Sequence, residues 1–271
     1  MSEDSIDYGN WVPKKLLFIV LCIAIIFTIV SILLLPLLID SILTNKSNFS
    51  FYFILSLVLW VIAGFSIICT IFFTSLHRAF KTNNGELQDK IRNIVLDKLQ
   101  WGGEGKALDI GTGSGYLAIK LAQSNLKTEA IGIDYWGHMW GNSQEVCEQN
   151  AKSENVKERT KFQKANASNL PFENEYFDAI VSNLVFHNII KVRDKSELFK
   201  EALRVLKKGG VFSIQDIVKN KRSYGNFEKL KQKIKECGVA ELNYIDTNDK
   251  IKMSRSARME FKTMGIFYGR K

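Results

Sequence analysis

The sequence predicts an α/β chain: a doubly wound, mostly parallel sheet of seven strands, preceded by a hairpin of two long apolar helices. Three observations predict it. From residue 106 onward, short apolar runs alternate with helical patterns, the signature of βα units. The first of these units carries the glycine-rich turn Asp109-Ile-Gly-Thr-Gly-Ser-Gly115. Ahead of it lie two uncharged runs that are too long for buried core helices.

The first run is Leu16 to Ile39. As a helix it reaches about 36 Å, enough for a bilayer core of roughly 30 Å. The second, Phe51 to Phe73, has similar reach. A cleavable leader fits the first run less well. The stretch before it is acidic (Glu3, Asp4, Asp7), the run exceeds a normal signal core, and no small-residue cleavage site follows. Lys14 and Lys15 precede the first run; His77, Arg78 and Lys81 follow the second; the connection from Asp40 to Ser50 offers only Lys46 as a cation. By the positive-inside rule both chain ends and the domain beyond are expected in the cytoplasm, with two spans in the cell membrane. Trp11 suits the headgroup level, and Pro36 is tolerated in a span. Neither run holds an ionisable residue, so a plain anchor is expected over a substrate channel. Residues 1–80 are read as the anchor and 81–271 as the soluble domain.

Thr82-Asn-Asn-Gly85 reads as a linker. Leu87, Ile91, Ile94, Val95 and Leu99 then recur at helical spacing, an amphipathic helix ending at Trp101-Gly-Gly. The first strand is Ala107 to Ile110, and a helix starts near Tyr116. Between them Gly111, Gly113 and Gly115 let the backbone turn sharply and approach a ligand. A dinucleotide fingerprint needs its third glycine at 116, which is Tyr. The Asp109 carboxylate at the strand end repels a pyrophosphate but suits a cofactor with a cationic amino-acid end.

This D-x-G-x-G-x-G spacing resembles motif I of the class I, Rossmann-like S-adenosylmethionine (SAM) methyltransferases, over roughly residues 85–271. The resemblance implies SAM as cofactor, with Asp109, Gly111, Thr112, Gly113 and Gly115 lining its site. It also implies a final antiparallel strand inserted between strands five and six. A helix ahead of the first strand often covers the site in this family; Phe80 and Gln88 are then candidates to line it, with linker and packing roles favoured.

The second strand, Thr128 to Ile133, delivers Asp134 about twenty residues beyond the glycines, where a carboxylate takes both ribose hydroxyls. Tyr135 follows, at the position that lies against adenine in the family. Trp136 and Trp140 either pack or wall the acceptor pocket. Helix Ser143–Ser153 and strand Lys161–Lys164 come next. Lys164-Ala-Asn-Ala-Ser-Asn-Leu-Pro-Phe172 resembles motif III, with Asn166 where the family has Asp. Asn166 is expected to meet the adenine amino group through its side-chain carbonyl, and Ala167 to offer its backbone N–H.

Strand four, Phe177 to Ser182, leads into Ser182-Asn-Leu-Val-Phe-His-Asn188, which resembles motif IV; Ser182 and Asn183 are read as cofactor-side residues. The stretch lacks the [ND]-P-P-[YF] that holds planar nitrogens of DNA, rRNA or glutamine. It is similar instead to enzymes acting on small molecules of quinone and sterol pathways. His187 is the candidate general base, against a structural histidine at a strand end. A helix over Glu197–Leu206, a turn at Lys207-Lys-Gly-Gly210, strand Val211–Gln215, a basic helix Phe227–Glu236, strand Glu241–Ile245 and strand Gly265–Tyr268 complete the pattern.

The net charge is +9 and the isoelectric point about 9.2. The lysines are spread through helices, which suits an anionic lipid surface as well as RNA. Cys22, Cys69, Cys147 and Cys237 lie far apart without a C-x-x-C pair, so neither zinc nor a disulfide framework is indicated. The sequence is thus read as an anchored methyltransferase with a small, membrane-partitioned acceptor: a lipid, a quinone-like molecule or a thiol. Nucleic acid and metal are not expected. The other readings are methylation of a membrane-associated protein or RNA, and a non-catalytic SAM-binding membrane protein.

Overall fold

A computed structural model of the chain describes residues 6–44, 49–80, 86–137, 141–251, 258 and 261–271. The chain divides into two compact units. One is Asn10–Lys81; the other joins the residues up to Gly9 with Thr82–Lys271.

The first unit is a hairpin of α1 (Lys14–Leu43) and α2 (Phe49–Ala79) packed along each other. Both helices extend beyond the apolar runs, and α1 continues through Pro36. Their burial is inverted relative to a soluble core. The buried positions include Ala24, Ser31, Ser41, Ser56, Ala63 and Ser66, while Leu33, Phe65 and Ile71 are about two-thirds exposed. Small residues at these positions let the two helices approach closely. At the open end Asn10 Nδ2 donates to His77 O (2.9 Å) and His77 Nδ1 lies 2.7 Å from Val12 O. Trp11 packs against Phe80, which is fully buried.

The second unit begins with residues 6–9 and continues at α3 (Glu86–Leu99), whose Ile91, Val95 and Leu99 are buried. Next come β1 (Gly105–Ile110), α4 (Tyr116–Ser124), β2 (Thr128–Asp134), α5 (Gln144–Ser153), β3 (Thr160–Lys164) and β4 (Phe177–Asn183). Then follow α6 (Ser196–Val205), β5 (Leu206–Asp216), α7 (Lys221–Tyr224), α8 (Phe227–Glu236), β6 (Glu241–Asp246) and β7 (Gly265–Arg270). The Ser143 hydroxyl caps α5 by accepting from Val146 N, and Asn226 caps α8 through Lys229 N.

The seven strands form one sheet in the order β3-β2-β1-β4-β5-β7-β6. The first five are parallel; β7 runs antiparallel between β5 and β6. The expected sheet, including the inserted last strand, is present. Two apolar layers cover it. Ile110, Ile180, Phe199 and Phe212 are in one; Ala107, Leu117, Val181 and Phe162 are in the other.

One expectation is corrected. The sequence pattern predicts a turn at Lys207–Gly210, closing a helix that includes Leu206. Instead the helix ends at Val205, and β5 starts at Leu206 and runs through the glycines. Leu206 is already in register with Phe177, with an irregularity before Ala179. Gly209 N donates to Lys271 O (2.7 Å), and Lys271 N to Gly210 O (2.9 Å). The glycines therefore bend a strand whose partners lie far away in sequence, which no local pattern reveals.

Candidate active site

All five parallel strands end on one edge of the sheet. The strand order reverses between β1 and β4, and there the loops after those strands meet. Gly111, at φ +74°, follows β1; a side chain there would collide with Val185, from the loop after β4. Gly113 and Gly115 are also left-handed (φ +58° and +87°). Gly111 N and Thr112 N both donate to Ile133 O (2.8 and 2.9 Å), tying the turn to β2.

Asp109 is buried beneath this turn. Its Oδ2 accepts from Thr112 Oγ1 (2.7 Å) and from Ala118 N (3.2 Å). Its Oδ1 is buried without a hydrogen-bond partner among the described residues. Burial pushes the carboxyl from its ordinary 3.8 up to about 7, against the bonds from Thr112 and Ala118. The folded chain thus holds a proton that the unfolded chain has released. The stabilisation is present at low pH and declines as pH rises from about 4 to about 7. Thermal unfolding of the ligand-free protein between pH 5 and 8 should show this decline, roughly 1–3 kcal/mol. Asp109→Asn should flatten it.

Asp134 closes the turn from the other side. Its Oδ2 accepts from Gly113 N (2.9 Å) and its Oδ1 from Trp136 N (2.8 Å). Trp136 folds back so that its Nε1 donates to Gly113 O (2.8 Å), and it packs on the core beside the turn. The packing role thus falls to Trp136; Trp140 lies outside the described residues. Cys147 also points at Gly113 O (3.2 Å), and burial pushes its thiol well up. Among the described residues all four cysteines are free and no metal-ligating cluster occurs. Tyr135 stands 70% exposed at the rim with Lys164 Nζ 4.7 Å from its ring centre.

The remaining sequence candidates divide. Asn183, at the end of β4, has a buried Oδ1 without a partner among the described residues. Ser182 donates to Ile110 O (2.8 Å) and so links β4 to β1 inside the sheet. Asn166 is exposed; its Oδ1 accepts from Ser168 N and Ser168 Oγ, an Asx turn that sets the loop holding Ala167. Gln88 is fully buried in its own unit, with its side-chain amide beside the Arg92 guanidinium.

His187 sits in a short 3₁₀ turn after β4. Its Nδ1 is 2.6 Å from Asp216 Oδ1, and its backbone N donates to Asp216 Oδ2 (3.1 Å). Asp216 is 1% exposed and also accepts from Ile217 N (2.7 Å). A carboxylate only accepts, so Nδ1 carries the proton and Nε2 presents its lone pair. The ring is 24% exposed. Lys195, buried nearby, donates to Ile189 O (2.6 Å), and burial lowers its affinity for a proton. Sequence reasoning misses Asp216, although a signal exists: like Asp109 and Asp134, it is an acidic residue at the carboxyl end of a parallel strand.

Comparison with known proteins agrees with this geometry. The family model described as a methyltransferase domain matches residues 103–258, more than half of the chain. The chain belongs to this methyltransferase family. Among curated relatives, it is 31% identical over 120 residues to the ubiquinone/menaquinone biosynthesis C-methyltransferase of Geotalea daltonii, covering 44% of this chain and 48% of that one. It is 29% identical over 113 residues to the erythromycin 3''-O-methyltransferase of Saccharopolyspora erythraea, covering 42% and 35%. The chain thus spans about half or less of the length of these relatives. Among solved structures, the [4+2]-cyclase SpnF superposes with a TM-score of 0.54 at 17% identity, covering 69% of this chain and 82% of that one. The fold is the Rossmann-like fold of class I SAM-dependent methyltransferases. A fold shared with a cyclase does not by itself define the reaction.

Proposed function

We propose that this protein is a membrane-anchored methyltransferase that moves the methyl group of SAM to a small, membrane-partitioned acceptor. The observation that carries the reading is the pair of buried oxygens without a partner among the described residues, Asp109 Oδ1 near the end of β1 and Asn183 Oδ1 at the end of the neighbouring β4. Buried polar atoms without a partner need an explanation, and a ligand seated at the glycine turn is the one we infer for these two, its ammonium favouring the ionised form of Asp109. The ammonium and hydroxyl groups of SAM are donors for them. In this reading Asp109 takes the amino-acid end. Asp134 keeps a free lone pair on each oxygen for ribose hydroxyls, and Tyr135 offers a ring face for adenine.

When bound, SAM supplies an electrophilic methyl on sulfur. The residues of this chain align the acceptor and take its proton. His187 Nε2 is the base for a hydroxyl or an acidic carbon, with Asp216 holding the ring and offsetting the charge it gains. The relatives methylate carbon in one case and oxygen in the other, and both acceptor types need such a base.

The membrane part of the reading rests on the hairpin. Only 11% and 22% of the most apolar windows of its helices are buried, whereas a soluble core helix is mostly buried. With positive charge at the hairpin's open end, the catalytic unit belongs on the cytoplasmic side.

Calorimetry on the full chain in detergent tests the cofactor. SAM should bind with micromolar affinity, and Asp134→Ala should weaken binding about a hundredfold or more, the effect of losing two charge-assisted bonds. A folded wild-type protein that ignores SAM would end this reading.

A further inference from the structure

Residues 7–9 precede the hairpin in sequence but belong to the globular unit. Their contacts converge on Ser114, which lies between Gly113 and Gly115, the second and third left-handed glycines of the turn. Tyr8 O accepts from Ser114 Oγ (2.9 Å) and from Arg92 Nη2 (3.2 Å). Asn150, 1% exposed, accepts from Asp7 N (2.8 Å) and donates to Asp7 O (2.8 Å) and to Ser114 O (2.9 Å). Ser114 is thereby held through its hydroxyl by the strap and through its carbonyl by the residue that grips the strap.

The strap is itself anchored. The Tyr8 hydroxyl donates to Glu154 Oε1 (2.9 Å), and its ring meets Tyr116 edge-on, with centroids 4.9 Å apart. Arg92 lies 4.8 Å above the other ring of that pair, Tyr116. Burial, with Glu154 beside it, keeps the Tyr8 hydroxyl firmly protonated. Gln123 and Lys120 hold Glu154 in turn.

A turn with three left-handed glycines has many conformations open to it, and fixing one costs entropy. A ligand meets that cost unless the protein has met it already. We infer that Asp7–Gly9 is a positioning segment of the cofactor site: it holds Ser114, and so the glycine turn, in the form that receives the amino-acid end of SAM. Tyr8 touches no reacting atom; it acts through Ser114 and Tyr116. The inference rests on the SAM reading above.

The test uses the full chain in detergent and two probes, SAM and methylthioadenosine, which lacks the amino-acid end. Tyr8→Ala should weaken SAM about tenfold, the loss of one hydrogen bond and one aromatic contact. Methylthioadenosine should bind as before, and Tyr8→Phe, which keeps the ring, should recover most of the SAM affinity. Equal weakening of both probes, or no change with Tyr8→Ala, would overturn the inference. If the wild type binds neither probe, the cofactor reading has failed, and hydrogen exchange of residues 111–118 then decides the strap separately. Faster exchange in Tyr8→Ala than in wild type supports it; equal exchange rejects it.

Discussion

His187→Ala should lower methyl transfer by about 10²–10⁴-fold while leaving SAM affinity unchanged. The ring is held away from the glycine turn: its Nδ1 bonds to Asp216, the last residue of β5. Removing it takes away the only imidazole at this edge of the sheet among the described residues, since His77 belongs to the hairpin. Asp216→Asn is the sharper variant. It keeps the shape but can present an N–H to Nδ1. The ring then turns to the tautomer whose proton sits on Nε2, where the acceptor's proton should go. A loss of about 10²-fold or more is expected, falling on kcat rather than on binding of the cofactor. Transfer of labelled methyl from SAM into a membrane extract measures it even with the acceptor unidentified. Full activity in His187→Ala would remove His187 from the mechanism and point to an acceptor that arrives already deprotonated; full activity in Asp216→Asn alone would mean that the amide oxygen still holds Nδ1–H.

Gly111→Ala should destabilise the globular unit by about 2–4 kcal/mol. Two costs add. At φ +74° an alanine pays roughly 1 kcal/mol for left-handed backbone. Its Cβ would also overlap Val185 Cγ2 and lie 2.6 Å from Val185 Cγ1. Val185 cannot step aside cheaply, because Leu184 N is fixed to Gln215 O (2.9 Å) and Phe186 is fully buried. The switch point of the sheet is thus closed by contact between two loops, and widening it separates the glycine turn from the loop that carries His187. Gly137→Ala is the control. A Cβ there meets nothing within 4 Å, so its thermal unfolding should match wild type.

These two sites show what a sequence reveals and what it conceals. The glycine turn and Asp134 are legible because they are local: a strand, a turn and a helix in order, then an acid at the next strand end. The parallel strands are legible from alternating apolar runs such as Ala107–Ile110. Their ends are less so, because a strand continues as long as its neighbour offers partners. That is why Asp216 falls one residue beyond the expected fifth strand, and its partner His187 is left without an orienting group. The bent start of β5 is hidden for the same reason, since Gly209 and Gly210 are held by Lys271. The strap is the least visible. Asp7-Tyr8-Gly9 has no periodicity and no motif, and its role comes from Asn150 and Ser114, more than a hundred residues away.

The grouping of residues 6–9 with the globular unit also alters how the two apolar helices should be described. They are not a prefix to a finished domain but a parenthesis opened inside one. A gene that lost the codons for residues 10–81 would still encode, in order, every residue of the globular unit. A gene that began after them would not. Excising residues 10–81 therefore leaves the globular unit whole, whereas starting the chain after them also takes Asp7 and Tyr8 away from Asn150 and Ser114.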